Sequence, residues 1–213
     1  MINFRKIEII DKFLNQKDYM ELCNLPLNFN STNNTIKVFH NKIDINLKVI
    51  SSSIDPSIIK KLQYNYHEKA INILKNICPE KVDLYDYSDF TLISTDKDYK
   101  FPIHDDIPNK LLSGVIYLNP SKNIGTLFYS DKYGNNKKTI EWRKNRGVFF
   151  SRREEETWHS YEGDGISDRL ALVYNLNTKN IKKVFEIEKK NYVKGMLRYK
   201  LNPFLHKYLK ITI

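Results

Sequence analysis

From Phe101 to Asn119 the chain reads FPIHDDIPNKLLSGVIYLN, and from Arg146 to Leu176 it reads RGVFFSRREEETWHSYEGDGISDRLALVYNL. Both stretches are short β-branched and aromatic runs cut by turn-formers. The same texture fills Leu84 to Leu176, with Asn119-Pro120, Tyr133-Gly134-Asn135 and Gly163-Asp164-Gly165 at the bends. It places strands near 84–96, 100–106, 111–119, 124–130, 137–142, 146–151, 156–160 and 168–176. Strands of this number, packed as two sheets, make a double-stranded β-helix, or jelly roll, with a cavity between the sheets.

Toward the N-terminus the pattern changes. Ile7 to Phe13 reads as a strand, and Asn15 with Asp18 three residues on can cap a helix carrying Tyr19, Met20, Leu22 and Cys23. Short strands are expected at Thr35–His40 and Ile43–Ile50. Asp55-Pro56 then opens a helix in which Ile58, Ile59, Leu62, Tyr66, Ala70, Ile71, Leu74 and Ile77 recur at helical spacing, up to a stop at Pro79. After Asn177 an amphipathic helix is expected from Ile181 to Tyr199, weakened by Gly195 and ended by Pro203. The expected class is mainly β (α+β): a jelly roll over about 84–176, helical support over 1–83, and a short C-terminal helical tail over 177–213.

At 213 residues the chain is long enough to bury one substantial core. Hydrophobic residues at 41% and charged residues at 28% are globular values, and no apolar run reaches membrane-spanning length. The start, MINFRKIEIIDKF, lacks the apolar region and cleavage site of a secretory signal. Two cysteines, Cys23 and Cys78, build no disulfide framework, so a reducing cytoplasmic setting is expected. The net charge of +10 is uneven, because ten Lys/Arg against two Glu lie between Asn177 and Ile213. Such a tail could meet nucleic acid or another anionic surface, but a charge run selects no ligand, and a solvated helix is the simpler expectation.

The chemistry concentrates at His104-Asp105-Asp106, with His159 53 residues beyond Asp106 and Arg169 ten residues beyond His159. In extended backbone, side chains two apart point to the same side, so His104 and Asp106 can grip one ion while Asp105 faces away. With His159 they would form a facial triad of two imidazoles and one carboxylate, a donor set that suits non-haem Fe(II) with open positions. Arg169 offers a bidentate cation for a carboxylate, and its alternative is a salt bridge to Asp168 or another acid. On its strand, Arg169, Ala171, Val173 and Asn175 share one face, and Leu170, Leu172, Tyr174 and Leu176 the other. Arg152-Arg153-Glu154-Glu155-Glu156 reads as a solvated turn, and His67 as a solvent-facing helix residue. No nucleophile-His-Asp set, Cys-x-x-Cys pair or phosphate-binding glycine loop is present.

These residues in this order resemble the Fe(II)/2-oxoglutarate-dependent oxygenases, and within them the prolyl 4-hydroxylase-like branch. The resemblance runs from Tyr85 to Leu176: the HxD pair, a YLN strand ending, a glycine-led strand, a G-hydrophobic-F strand, the second histidine, and a basic residue ten further on. The opening IEIIDKFLNQKDYMELC is similar to the same branch. The resemblance implies a cupin-like oxygenase domain over 1–176, with His104, Asp106 and His159 as both metal ligands and catalytic centre. Fe(II) would be the metal, 2-oxoglutarate the co-substrate and ascorbate a supporting reductant. Arg169 would hold the distal carboxylate of 2-oxoglutarate with Tyr117 as a second contact, and Leu127 would pack beside it. The implied activity is hydroxylation of an unactivated C–H bond by a dioxygenase acting on a prolyl peptide, an amino acid or a sugar intermediate. Asp98-Tyr99-Lys100 and Tyr129 to Lys138 are candidate rims of the cavity mouth. A nucleic-acid demethylase is the rival within the superfamily, although Asn175 stands where that branch usually has a second arginine. A non-catalytic jelly-roll binding module is the rival outside it.

Overall fold

The computed structural model describes residues 7–27 and 35–209, with side chains to Leu201. Four short strands and two helices come first: β1 (Ile7–Ile10), α1 (Gln16–Cys23), β2 (Ile36–Phe39), β3 (Lys42–Asp44), β4 (Val49–Ser51) and α2 (Pro56–Ile77). The barrel strands are β5 (Tyr87–Thr95), β6 (Lys100–His104), β7 (Lys110–Asn119), β8 (Leu127–Phe128), β9 (Lys138–Thr139), β10 (Gly147–Phe150), β11 (His159–Glu162) and β12 (Arg169–Asn177). Two helices close the chain, α3 (Ile181–Ile187) and α4 (Tyr192–Leu209).

The barrel strands divide between two sheets, alternating along the chain except at the β8–β9 hairpin. The larger sheet runs β1-β10-β7-β12-β5-β3-β4 with β2 also paired to β5, and the smaller runs β6-β11-β8-β9. All the pairings are antiparallel. This is the jelly roll expected from the strand pattern, with β8 and β9 shorter than the sequence suggests. The expected strand Ile43–Ile50 is instead the β3–β4 hairpin, because Leu47 adopts a positive φ at its turn.

Period-two alternation decides what each face buries. On β12, Leu170, Leu172, Tyr174 and Leu176 pack with Phe90, Leu92, Leu112 and Ile116 under Ile59, Leu62, Tyr66 and Leu74 of α2. The opposite face turns Arg169, Ala171 and Val173 into the cavity between the sheets. Removing Leu172 to alanine would cost about 2–5 kcal/mol, the usual range for a buried leucine. The α1 cap forms as read: the Asn15 side chain accepts from the Asp18 backbone N–H, and Asp18 in turn accepts from the Tyr66 hydroxyl at 2.6 Å.

Three expectations are corrected by packing. His67 is not solvent-facing, since its ring lies against Tyr85 with centroids 4.7 Å apart. The Arg152–Glu156 run is a solvated turn only at Glu155 and Glu156: Arg152 is 1% exposed and ion-paired with Glu154 and Glu188, and Glu154 is buried with it. The expected single helix from Ile181 to Tyr199 is interrupted after Ile187, and α4 runs through Gly195 and continues past Pro203 despite the hydrogen bond that proline cannot donate. Gly195 lies where α4 crosses Phe185, and a Cβ there would overlap the phenylalanine ring. Val184 and Phe185 of α3 are fully buried, whereas Leu197 of α4 is 58% exposed.

Candidate metal centre and anion pocket

His104 and His159 are far apart in sequence yet directly opposite each other in the β6–β11 ladder. Their ring centroids are 4.2 Å apart. Each ring is set by the same local device. Nδ1 of His104 lies 3.0 Å from the Pro102 carbonyl and Nδ1 of His159 lies 2.8 Å from the Thr157 carbonyl. A carbonyl only accepts, so both Nδ1 atoms carry the proton and both Nε2 lone pairs are left for a metal.

Asp106 lies two residues past the end of β6, so strand alternation does not aim it. The start of β7 does: Lys110 donates to Oδ1 at 2.6 Å and the Ser113 hydroxyl donates to Oδ2 at 2.5 Å. Arg152 holds the Asp106 main-chain carbonyl at 3.1 Å. One ligand atom each from His104, Asp106 and His159 lies within 4.8 Å of the other two, the one such group among the described residues. The electrostatics favour a metal over a proton. Burial, then the neighbouring His159, pushes the His104 value down to about 3. Burial works to raise the Asp106 carboxyl, but Lys110 and the two histidines outweigh it and hold the group well below the usual carboxylate range.

Asp105 faces away, as expected. Its carboxylate accepts from the Glu155 N–H at 2.8 Å and the Thr157 hydroxyl at 3.0 Å, and pairs with Arg198 at 3.3 Å. It ties the end of β6 to the segment that leads into His159 and to α4.

Behind the triad lies a cavity of about 210 Å³, lined by His104, Asp106 and His159 at one end and Arg169 at the other. Arg169 is 4% exposed, and among the described residues its Nε and Nη1 have no hydrogen-bond partner. The Asp168 carboxylate is engaged elsewhere, accepting from the Lys97 N–H at 3.1 Å. Aromatic faces surround the guanidinium instead, Tyr161 at 4.0 Å, Trp142 at 5.1 Å and Tyr117 at 6.0 Å. Burial pulls the Arg169 value down, and only the two phenols oppose it.

Two neighbours of this pocket differ from expectation. The Tyr117 hydroxyl donates to Thr126 Oγ1 at 2.9 Å and accepts from the Thr126 N–H at 2.8 Å, and its ring stacks on Trp142 behind the cavity wall. Leu127 turns away to pack with Tyr129 and Trp158, and Thr126 lines the cavity in its place. Sequence reading missed Tyr161. Its hydroxyl is buried without a partner among the described residues, its ring covers Arg169, and it lines the cavity. Its spacing of two from His159 on the same strand was the available signal.

No protein-family model matches the sequence, and no curated protein matches it either. Solved structures do match the fold. A prolyl hydroxylase from Trichoplax adhaerens, in complex with a hypoxia inducible factor oxygen degradation domain peptide fragment, aligns with a TM-score of 0.55 at 14% identity, over 86% of this chain and 88% of that one. A Pseudomonas putida prolyl-4-hydroxylase aligns at 0.54 and 15% identity, over 83% and 94%. A 2OG-Fe(II) oxygenase family oxidoreductase from Burkholderia pseudomallei aligns at 0.57 and 13% identity, over 81% and 85%.

Proposed function

We propose that the chain, which shares its fold with solved 2-oxoglutarate/Fe(II) oxygenases and prolyl hydroxylases, is a working member of that group: a dioxygenase that couples oxidation of 2-oxoglutarate to hydroxylation of an unactivated C–H bond, with a prolyl ring carbon as the favoured target. The observation that carries this reading is Arg169. A buried guanidinium with two unpartnered nitrogens is costly unless an anion arrives, and it faces a cavity whose other end is the His-Asp-His triad. A dicarboxylate that chelates a metal at one end satisfies both demands.

His104, Asp106 and His159 fit Fe(II) because they present two imidazole lone pairs and one carboxylate from one side. When bound, iron and 2-oxoglutarate supply the oxidising chemistry. The rest is done by this chain. Lys110 and Ser113 keep the Asp106 carboxylate ionised and oriented, the Pro102 and Thr157 carbonyls keep both imidazoles in the ligating tautomer, and Arg169 anchors the far end of the co-substrate. Apolar walls at Ile93, Val115, Phe150 and Val173 exclude water from the cavity. Tyr161, with its unpartnered hydroxyl, supports the second carboxylate contact better than Tyr117, whose hydroxyl already bonds Thr126.

No helix among the described residues is long and apolar enough to cross a membrane. The test is succinate formation from 2-oxoglutarate with Fe(II) and ascorbate, combined with mass spectrometry of proline-containing peptides, free amino acids, nucleotide sugars and methylated oligonucleotides. Gain of one oxygen on a prolyl peptide is the expected result. Oxygen gain only on other substrates rejects the prolyl target, and absence of succinate with every substrate rejects the enzyme class.

A further inference from the structure

His104 and His159 form the last rung of the β6–β11 ladder. Strand ends open at little cost, yet an ion held by both imidazoles needs them at a fixed separation. Beyond that rung the side chain of Asp105 closes the ladder in place of a further backbone pair. Its carboxylate accepts from the Glu155 N–H at 2.8 Å and from the Thr157 hydroxyl at 3.0 Å. Thr157 is also the residue whose carbonyl accepts from Nδ1 of His159 at 2.8 Å, so the brace reaches that ring through a single residue.

The brace takes two carboxylates out of water, with the Asp105 side chain fully buried and that of Glu154 nearly so. Like charges placed in this way repel unless a cation lies between them. That cation is Arg198 of α4, whose Nη1 lies 2.6 Å from Glu154 and whose Nη2 lies 3.3 Å from Asp105. Among the described residues no other cation pairs with Asp105. Glu154 has a second partner in Arg152, which holds the Asp106 carbonyl at 3.1 Å, so one side chain of the tail supports the approaches to both His159 and Asp106. Arg198 arrives there because Gly195, one turn earlier on the same face of α4, lets the helix pass Phe185. The outer face of α4 buries little, with Val193 73% exposed, and the contact that ties the helix to this corner is ionic.

We propose that Arg198 is a positioning residue of the metal centre: by bridging Asp105 and Glu154 it holds the terminal His104–His159 rung in ligating geometry, so that the seating of α4 sets the affinity for the metal. The consequence for the metal rests on the metal-centre reading above, whereas the brace itself does not. A planar guanidinium suits the task because its fork serves two carboxylates at once. An ion pair that only stabilised the fold would act on the whole domain, and this one acts on the rung.

The experiment needs no turnover. Full-length wild type, Arg198→Ala, Arg198→Lys and, as an exposed charge on the same helix, Lys194→Ala are titrated with Co(II) alone and followed by visible absorption, which reads the geometry of the bound ion. Hydrogen exchange of the metal-free proteins is measured alongside. Groups that orient a metal's ligands are worth roughly 10–100-fold in metal affinity, and Arg198 acts one residue further out, so Arg198→Ala should weaken Co(II) by about tenfold. It should also shift the absorption bands and speed exchange over residues 153–159 while α2 stays protected. Arg198→Lys keeps the charge and loses the fork, so it should recover part of the affinity without the wild-type bands, and it carries the test if the alanine variant does not fold. Lys194→Ala should match wild type throughout. Unchanged Co(II) affinity and bands in both Arg198 variants, or exchange that rises equally over α2, or the same losses in Lys194→Ala, overturns the proposal and leaves the metal centre standing. A wild type that binds no Co(II) rejects the metal centre itself, and the proposal with it.

Discussion

Arg152 and Arg169 are both buried, 1% and 4% exposed, and they have opposite surroundings. Arg152 has Glu188 at 2.6 Å, Glu154 beside it and the Asp106 carbonyl at 3.1 Å. Glu188 also takes Lys81 at 2.7 Å and the Glu154 N–H at 2.9 Å, and Lys81 donates to the Arg152 carbonyl. That cluster is complete and joins α3, the turn after α2 and the segment leading to His159. Arg169 has aromatic faces and two unpartnered nitrogens. A buried charge whose partners are all present belongs to the fold, and one whose partner is missing belongs to a ligand.

The contrast can be broken most sharply at Glu188. Glu188→Ala leaves Lys81 and Arg152 buried without their shared carboxylate, and the expected loss is about 3–5 kcal/mol of folding stability. Urea unfolding reads it directly. A loss no larger than that of a surface substitution would show that the cluster does not hold the fold.

Arg169→Ala should behave in the opposite way. It removes an uncompensated buried charge, so folding stability should hold or rise, while 2-oxoglutarate binding to the Mn(II)-loaded protein weakens by about 2–5 kcal/mol. Metal binding should be unchanged. Equal 2-oxoglutarate affinity in wild type and variant would remove the ligand from the comparison.

Within the anion pocket the two tyrosines sharpen the same test. Tyr161→Phe keeps the ring over Arg169 and deletes only the unpartnered hydroxyl, so 2-oxoglutarate affinity should fall by about 1.5–3 kcal/mol, the worth of a hydrogen bond to a charged group. Tyr117→Phe should instead lower folding stability by about 0.5–1.5 kcal/mol through its bonds to Thr126 and leave affinity nearly intact. Calorimetric titration and unfolding of both variants would expose a reversed assignment.

His67 shows a third solution, since burial lowers its value and the ring escapes cost by staying neutral. Its folded value lies below its unfolded one. The contribution is therefore fully present above the ordinary histidine value of about 6.5 and is lost as pH falls below it. His67→Phe should remove that part of the acid-side loss, the smallest effect of the four. Unfolding curves for wild type and variant that stay parallel across that window would count against it.

Much of this was legible in the sequence because it is local. Period-two alternation and turn-formers set out the eight barrel strands, and the alternation of β12 correctly divided Arg169, Ala171 and Val173 from Leu170, Leu172 and Tyr174. The spacing His104, Asp106, His159 and Arg169 also placed the residues that the fold brings around one cavity. Side-chain chemistry at a given step along a strand needs no knowledge of distant neighbours.

The rest depends on which distant groups satisfy one another, and only the tertiary structure decides that. Asp106 is aimed by Lys110 and Ser113 rather than by strand alternation, because β6 ends before reaching it. Tyr117 and Tyr161 are equivalent in a sequence, yet Thr126 satisfies one hydroxyl and no group among the described residues satisfies the other. The run Arg152–Glu156 has the composition of a surface turn, yet Arg152 and Glu154 within it are buried, because Glu188, arriving from the tail, pairs with the Arg152 guanidinium and accepts from the Glu154 N–H. Burial of a charge is a property of the partners that reach it, and those partners come from elements that local pattern cannot bring together.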